Sequence, residues 1–234
     1  MEQRSGCLCC GKEVLYLDQP ESLPCMYCKG VFLTQARCVD SHFICDACHA
    51  LPAFDLIERF TVASTSTSPL EMAVALMRSS SVKMHGPEHH FLVPAVLLSA
   101  AYNVRGEPAE KGKRIALARQ RAEHVLGGFC GFYGSCGAAV GTGIFMSVMT
   151  GATPLSREEW RLSNLMTSLS LHTIAEAGGP RCCKRNSFLA IREALRFTKD
   201  RFGLDLGALS DPVKCEFFSL NKECRKVECP FYPQ

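Results

Sequence analysis

A chain of 234 residues, 47% of them apolar, is long enough for one substantial core plus a small module. Its 26 basic and 23 acidic residues leave a net charge of +3, too small and too dispersed to mark nucleic acid as a partner. It has 15 cysteines, and its N-terminus, "MEQRSGCLCCGKE", lacks the apolar run that starts a signal peptide. Together these argue against a secreted disulfide framework and for metal or cluster ligation in a reducing compartment, the cytoplasm.

Residues 1–50 form the first predicted unit. Three pairs repeat the Cys-x2-Cys spacing, at Cys7 and Cys10, Cys25 and Cys28, and Cys45 and Cys48, while Cys38 and His42 supply a fourth pair. A Cys-x2-Cys pair on a tight knuckle presents two thiolates to one ion, and thiolate-rich tetrahedral surroundings favour zinc. Eight ligands make two zinc sites. The spacing does not say which pairs share an ion, and Cys9 and His49 are surplus. So short a segment with few large apolar side chains needs the metal in order to fold. Closed four-ligand sites are structural, so the module is expected to recruit a protein partner or anchor the body rather than do chemistry.

The order of these pairs resembles the treble-clef and cross-brace zinc modules, including the RING and B-box types. A ubiquitin-ligase role would also need an apolar docking face around the knuckles, and none is legible in the sequence.

Residues 51–69 are expected to be a linker, hydroxyl-rich in "TVASTSTSP". A helical body is predicted over 70–210. Its elements are a short helix at 70–79 and an apolar helix in "HGPEHHFLVPAVLLSAAY" that Pro94 interrupts or begins. An amphipathic helix with a basic face follows at 108–126. Another runs from Ser156 to about Glu176, opened by a capping box of Ser156 and Glu159. The last is "RNSFLAIREALRFTKDRFG", closed at Gly203. The uncharged run Val125 to Ser156 is broken by many glycines and reads as buried helix and turns, so no membrane is expected. Gly137, Gly141 and Gly143 let neighbouring backbones approach closely. Phe132, Phe145, Met146, Met149, Trp160 and Met166 read as core packing, and His124 and His172 as core-edge residues. The predicted fold class is mainly α, a helical bundle preceded by a small treble-clef or cross-brace-like zinc module.

Two thiol groups stand out in the body. Cys130 and Cys136 precede the small-residue helix, and Cys182 and Cys183 follow "GGPR" at the start of another. A helix N-terminus, aided by Arg181, Lys184 and Arg185, favours thiolate or bound anion. Three or four clustered thiolates can hold an iron-sulfur cluster, and two can cycle between dithiol and disulfide. In the tail, 211–234, Cys215, Cys224 and Cys229 fall close together, the last before Pro230, in the manner of cluster-binding termini. A fourth ligand from Cys183 or Cys130 would complete a 4Fe-4S site there, and a plain metal clip fits as well. His85, Glu88 and His89 have the spacing of an inverted zinc-protease motif. Pro87 leaves His85 outside the helix, so they read instead as proton-transfer groups or a local hydrogen-bonded cluster.

Cys136-x3-Val140-Gly141 and Cys182-x2-Arg185-Asn186 resemble two elements of the iron-sulfur L-serine dehydratases, whose alpha domain is helical. The resemblance implies that Cys136 and Cys182 ligate a four-iron cluster with one open iron. It places Arg185 and Asn186 beside the substrate and implies elimination of water from a small anionic substrate. Ala139 stands where that family carries an acidic residue, and no cysteine occurs near Glu193, so a third ligand falls to Cys130, Cys183 or the tail. The same segment is similar to redox-active cysteine-pair proteins. The whole chain resembles an uncharacterised cysteine-rich prokaryotic family found beside or fused to radical-SAM and methyltransferase proteins. Two functions follow as expectations. One is a metal- and iron-sulfur-binding redox or accessory protein. The other is an iron-sulfur lyase, a dehydratase or desulfidase, with His89 or Glu88 handling a proton and Arg185 meeting the carboxylate.

Overall fold

The computed structural model describes residues 7, 9–10, 12–45, 48, 52–207 and 213–233. The boundaries expected at 50 and 210, and His49, lie outside these residues. The head is a two-stranded antiparallel hairpin, β1 (Val14–Pro24) and β2 (Val31–Cys38), with Val14 opposite Cys38 and Pro24 opposite Val31. The register breaks between Tyr16 and Glu21. Neither segment alternates cleanly in sequence, so no strand is expected here. Both are largely exposed, and the knuckle turns rather than a buried face hold them in place.

Among the described residues eight α-helical segments follow: α1 (Ala53–Ala63), α2 (Pro69–Met77), α3 (Glu88–Arg105), α4 (Pro108–Ala122), the single turn α5 (Phe129–Phe132), α6 (Gly137–Thr150), α7 (Glu158–Glu176) and α8 (Cys183–Phe202). The mainly helical bundle expected from the sequence is present. The stretch 51–69, expected as a linker, contains α1, whose Leu56 and Ile57 are fully buried, so only Ser64 to Ser68 run extended between α1 and α2.

The bundle is built around α3. Every residue of this helix from Glu88 to Tyr102 is buried, and α1, α2, α4, α6 and α8 all pack on it. A helix apolar on all sides belongs in the middle of a bundle. Pro94 lies inside α3 and cannot donate to the carbonyl of His90 one turn earlier. Gly141 of α6 packs against that freed carbonyl, where an added Cβ would come within 3.0 Å of the oxygen. At α6 and α7 the same device recurs: a Cβ on Gly143 would overlap the Thr167 hydroxyl at 2.0 Å.

Helix ends depart from expectation at α4, which stops at Ala122 instead of 126, and at the start of α7. Ser156 does not cap α7. It accepts from the Thr153 N–H at 3.0 Å in the preceding turn, and the helix starts at Glu158. The end of α8 at Gly203 follows the expected pattern, with φ of 62° at the glycine. Phe145, Met146 and Met166 are in the core, but Phe132 is 88% exposed and Trp160 51% exposed. Phe132 sits on the isolated turn α5 with nothing packed over it, and Trp160 falls on the outer face of the first turn of α7. His124 and His172 are exposed as well. Among the described residues no helix is long and apolar enough to cross a membrane.

Arg119 of α4 ties two helices together, binding Asp55 at 2.7 Å and Glu58 at 2.5 Å on α1 and Glu123 at 3.1 Å on its own helix. Because the group is partly exposed, Arg119→Ala is expected to cost about 1 kcal/mol in urea denaturation, less at high salt.

Candidate metal centres

Three head knuckles share one backbone pattern. The N–H of the first cysteine donates to a carbonyl a few residues on: Cys7 to Lys12 at 2.7 Å, Cys25 to Gly30 at 2.8 Å and Cys38 to His42 at 2.9 Å. The turns demand unusual backbone, and Lys29 and Ser41 both have φ of 61°. Closing each loop in this way points the intervening N–H groups at sulfur, as in Cys9 N–H to Cys7 Sγ at 3.3 Å and Asp40 N–H to Cys38 Sγ at 3.2 Å.

The hairpin decides which pairs meet. The first and third pairs flank the strand ends where Val14 faces Cys38, while the second pair lies in the turn joining the strands. After His42 the chain returns to that turn through Met26 N–H to Phe43 O at 2.8 Å and Cys45 N–H to Cys25 Sγ at 3.4 Å. Cys7, Cys10, Cys38 and His42 therefore form one group, and Cys25, Cys28, Cys45 and Cys48 the other, each with all ligand atoms within 4.8 Å of one another. Cys10 Sγ lies 3.4 Å from Cys38 Sγ and 3.3 Å from His42 Nδ1, and Cys28 Sγ lies 3.9 Å from Cys45 Sγ. Tetrahedral ligation at about 2.3 Å spaces sulfurs about 3.8 Å apart, so both sets fit one ion each.

Burial alone would raise the Cys25 thiol, but N–H donors from Cys28, Cys45 and Tyr27 outweigh it and bring it down to about 7. Cys9, the surplus cysteine, is pushed up to about 12 by burial and then by neighbouring Cys7, which leaves it a neutral thiol beside the site. The head is docked on the body: Tyr27 packs edge-on to Phe60, Arg59 donates to Cys48 Sγ at 3.7 Å, and Arg78 reaches the Cys9 carbonyl. The hairpin also leaves Tyr16, Val31 and Leu33 more than two-thirds exposed, Val31 and Leu33 on one face and Tyr16, opposite Ala36, on the other.

In the body, Cys136 is the N-cap residue of α6 and Cys182 that of α8. The two segments are brought together by Asn186, whose amide donates to Cys136 Sγ at 3.4 Å and accepts from Arg185 Nε at 3.2 Å. The thiols next to α8 do not gain from the helix terminus as the sequence predicts. Burial raises Cys182 in spite of the Arg185 N–H on its sulfur, and it raises Cys183 to about 11 against the N–H of Gly86. A buried thiol loses more hydration than one helix end restores.

The remaining candidates are placed apart. Glu88 is buried and accepts the Lys83 N–H at 2.8 Å. His89 donates from Nδ1 to Gly86 O at 3.2 Å, its Nε2 is buried without a partner, and burial followed by the nearby Lys184 charge holds it neutral. His85 turns instead to the tail, 3.2 Å from Asn221 Oδ1 and 3.5 Å from the Glu223 carboxylate. His90, which the sequence reading passed over, is buried on α3 and donates to Val125 O at 2.8 Å. Its ring lies against Gly137 beside Cys136.

The tail packs Phe231 against Phe188 of α8, closes on itself through Cys215 N–H to Phe231 O at 2.6 Å, and is tied to the end of α2 by a salt bridge from Arg78 to Glu216. One cavity results, lined by all three tail cysteines and by Cys182, whereas Cys130, Cys136 and Cys183 do not line it. Burial, with the nearby Cys182, Cys229 and Cys224, pushes the Cys215 thiol up to about 11 against the Phe217 N–H that would lower it.

No curated protein and no solved structure matches the chain. A family of unknown function, DUF5714, matches residues 57–232. That match begins within α1, after the last head ligand, and takes in the rest of the helical bundle together with the seven cysteines of body and tail. The chain belongs to the family of unknown function DUF5714.

Proposed function

We propose that the protein is a metal-binding redox or accessory protein that acts through its clustered cysteines. Two zinc ions shape the head as a docking module for a protein partner, and the body and tail thiols, with an iron-sulfur cluster, carry electrons or sulfur to that partner. The observation that carries the reading is the gathering of eight head ligands into two closed sets, each of a size that fits one tetrahedral ion. The exposed Val31 and Leu33 on one face of the same module support docking, because neighbouring uncovered apolar side chains mark a contact surface.

The lyase alternative needs a cation able to meet a substrate carboxylate. Arg185 donates to the carbonyls of Gly178 at 2.6 Å and Pro180 at 3.0 Å, and Lys184 to those of Val82 at 3.0 Å and Met77 at 3.2 Å. Both side chains hold loops together, which favours the carrier reading over elimination. Protein purified without oxygen is expected to contain about two zinc ions per chain. It is also expected to be reversibly reduced and reoxidised while leaving small hydroxy acids unchanged. Absence of zinc, or steady dehydration of a hydroxy acid, would overturn the proposal.

A further inference from the structure

We infer that Cys182, Cys215, Cys224 and Cys229 hold a four-iron, four-sulfide cluster between α8 and the C-terminal tail, with a cysteine on every iron. The inference deepens the iron-sulfur part of the proposed function and rests on it, while assigning a ligand set that excludes Cys130, Cys136 and Cys183.

Four observations converge. The four thiols surround a single cavity. Three of them already accept backbone N–H groups at sulfur: Cys182 from Arg185 at 3.5 Å, Cys215 from Phe217 at 3.4 Å and Cys224 from Lys226 at 3.4 Å. For Cys215 and Cys224 the donor lies two residues on, the same local geometry that Cys7 and Cys38 adopt in the head. Such bonds stabilise thiolate over thiol and are a main lever on cluster potential.

Spacing separates a cluster from a single ion. Among the described residues, the groups with three or more ligand atoms within 4.8 Å of one another are the two in the head. Among the described residues no three of the cavity thiols have their sulfurs within 4.8 Å of one another, a looser set than the roughly 3.8 Å that one tetrahedral zinc imposes. A cubane sets its four thiolates at the corners of a larger tetrahedron, and it fills the space between them with inorganic iron and sulfide.

The walls suit such a guest. Phe188, Phe217 and Phe231 supply apolar surface, and Arg185 and Arg225 line the same cavity and offset the negative charge of a tetrathiolate cluster. Both arginines are fixed, Arg185 by the Gly178 carbonyl and Arg225 by Glu228 at 2.7 Å and the Ala177 carbonyl. Glu223 opposes them at the rim, but it is mostly exposed and pairs with His85. With a cysteine on each iron no site remains for substrate. The role left to the cluster is one-electron transfer or clamping the tail, not elimination at an open iron.

The test is anaerobic reconstitution of the full chain with equal amounts of ferrous and ferric iron and with sulfide, followed by metal and sulfide analysis and by electron paramagnetic resonance after reduction with dithionite, which supplies the single electron. Wild-type protein is expected to hold about four irons and four sulfides per chain and to give the signal of a one-electron-reduced cubane. Cys215→Ser and Cys229→Ser are expected to lose that iron and signal while keeping the head zinc, which reports that the chain is still folded. Cys136→Ser and Cys183→Ser are expected to keep both. Retention of the cluster in Cys215→Ser with its loss in Cys136→Ser would overturn the assignment, as would a third zinc, a disulfide or no iron in the wild-type tail. Iron and sulfide that persist in Cys215→Ser and Cys229→Ser defeat this ligand assignment alone, whereas zinc-replete protein without iron also removes the cluster from the proposed function, and protein without zinc defeats the proposed function itself.

Discussion

Cys25→Ser is expected to release one zinc ion and to loosen the helical body as well as the head. Structural zinc sites contribute apparent binding energies of about 10–16 kcal/mol, and that energy is folding energy where little else holds a segment. Cys25, Cys45 and Cys48 are not confined to the head. They join Tyr27, Leu56, Ile57 and Phe60 in the main hydrophobic core, while Cys7, Cys9 and Cys38 form a separate small cluster. The two centres are therefore expected to differ on substitution. Loss of the Cys25 centre lowers the midpoint of body unfolding by several degrees, because a few kcal/mol of contact with α1 disappears with it. Loss of the other centre, through His42→Ala, frees one zinc and opens the first residues to protease but leaves the body transition nearly unchanged. Zinc content, limited proteolysis and thermal unfolding followed by near-ultraviolet circular dichroism distinguish the two. Equal effects of Cys25→Ser and His42→Ala on the body would show that the head packs on it less selectively than these contacts require.

The eight head ligands were legible because a knuckle is local: two cysteines three positions apart, or a cysteine and a histidine four apart, state their chemistry without reference to the fold. Their pairing was not legible. It depends on β1 and β2 aligning Val14 with Cys38, and on Phe43 returning to Met26, which are contacts between distant residues. The tail shows the same limit. Its three cysteines invited a fourth ligand, and Cys183 or Cys130 were the expected donors. The cavity instead has Cys182, since Cys183 is the first helical residue of α8 and takes the N–H of Gly86 beside α3. One residue along a helix start rotates the side chain by roughly 100°, enough to send adjacent thiols to different sites. The capping box at Ser156 failed for a related reason. Spacing permits the motif, but the hydroxyl found a closer N–H in its own turn at Thr153.

Gly137→Ala is expected to destabilise the bundle by about 2–4 kcal/mol, although alanine is the better helix former by about 1 kcal/mol. The added Cβ would lie 2.1 Å from Cδ2 and 2.3 Å from Nε2 of His90, well inside contact distance. The imidazole cannot swing aside freely, because its Nδ1–H donates to Val125 O at 2.8 Å in a buried setting. Rotating the ring breaks that bond, which costs about 1–3 kcal/mol, and holding it forces α6 away from α3. Gly112 in α4 provides the opposite case, since a Cβ there meets nothing nearer than Val62 Cγ1 at 3.9 Å. Gly112→Ala should therefore gain up to about 1 kcal/mol from helix propensity alone. Urea denaturation of the two variants at fixed zinc gives the comparison, and combining Gly137→Ala with His90→Ala tests its cause. Relief of the clash should make the double variant more stable than the sum of the two single losses. Strict additivity would mean that Gly137 matters to α6 itself and not to its approach to His90.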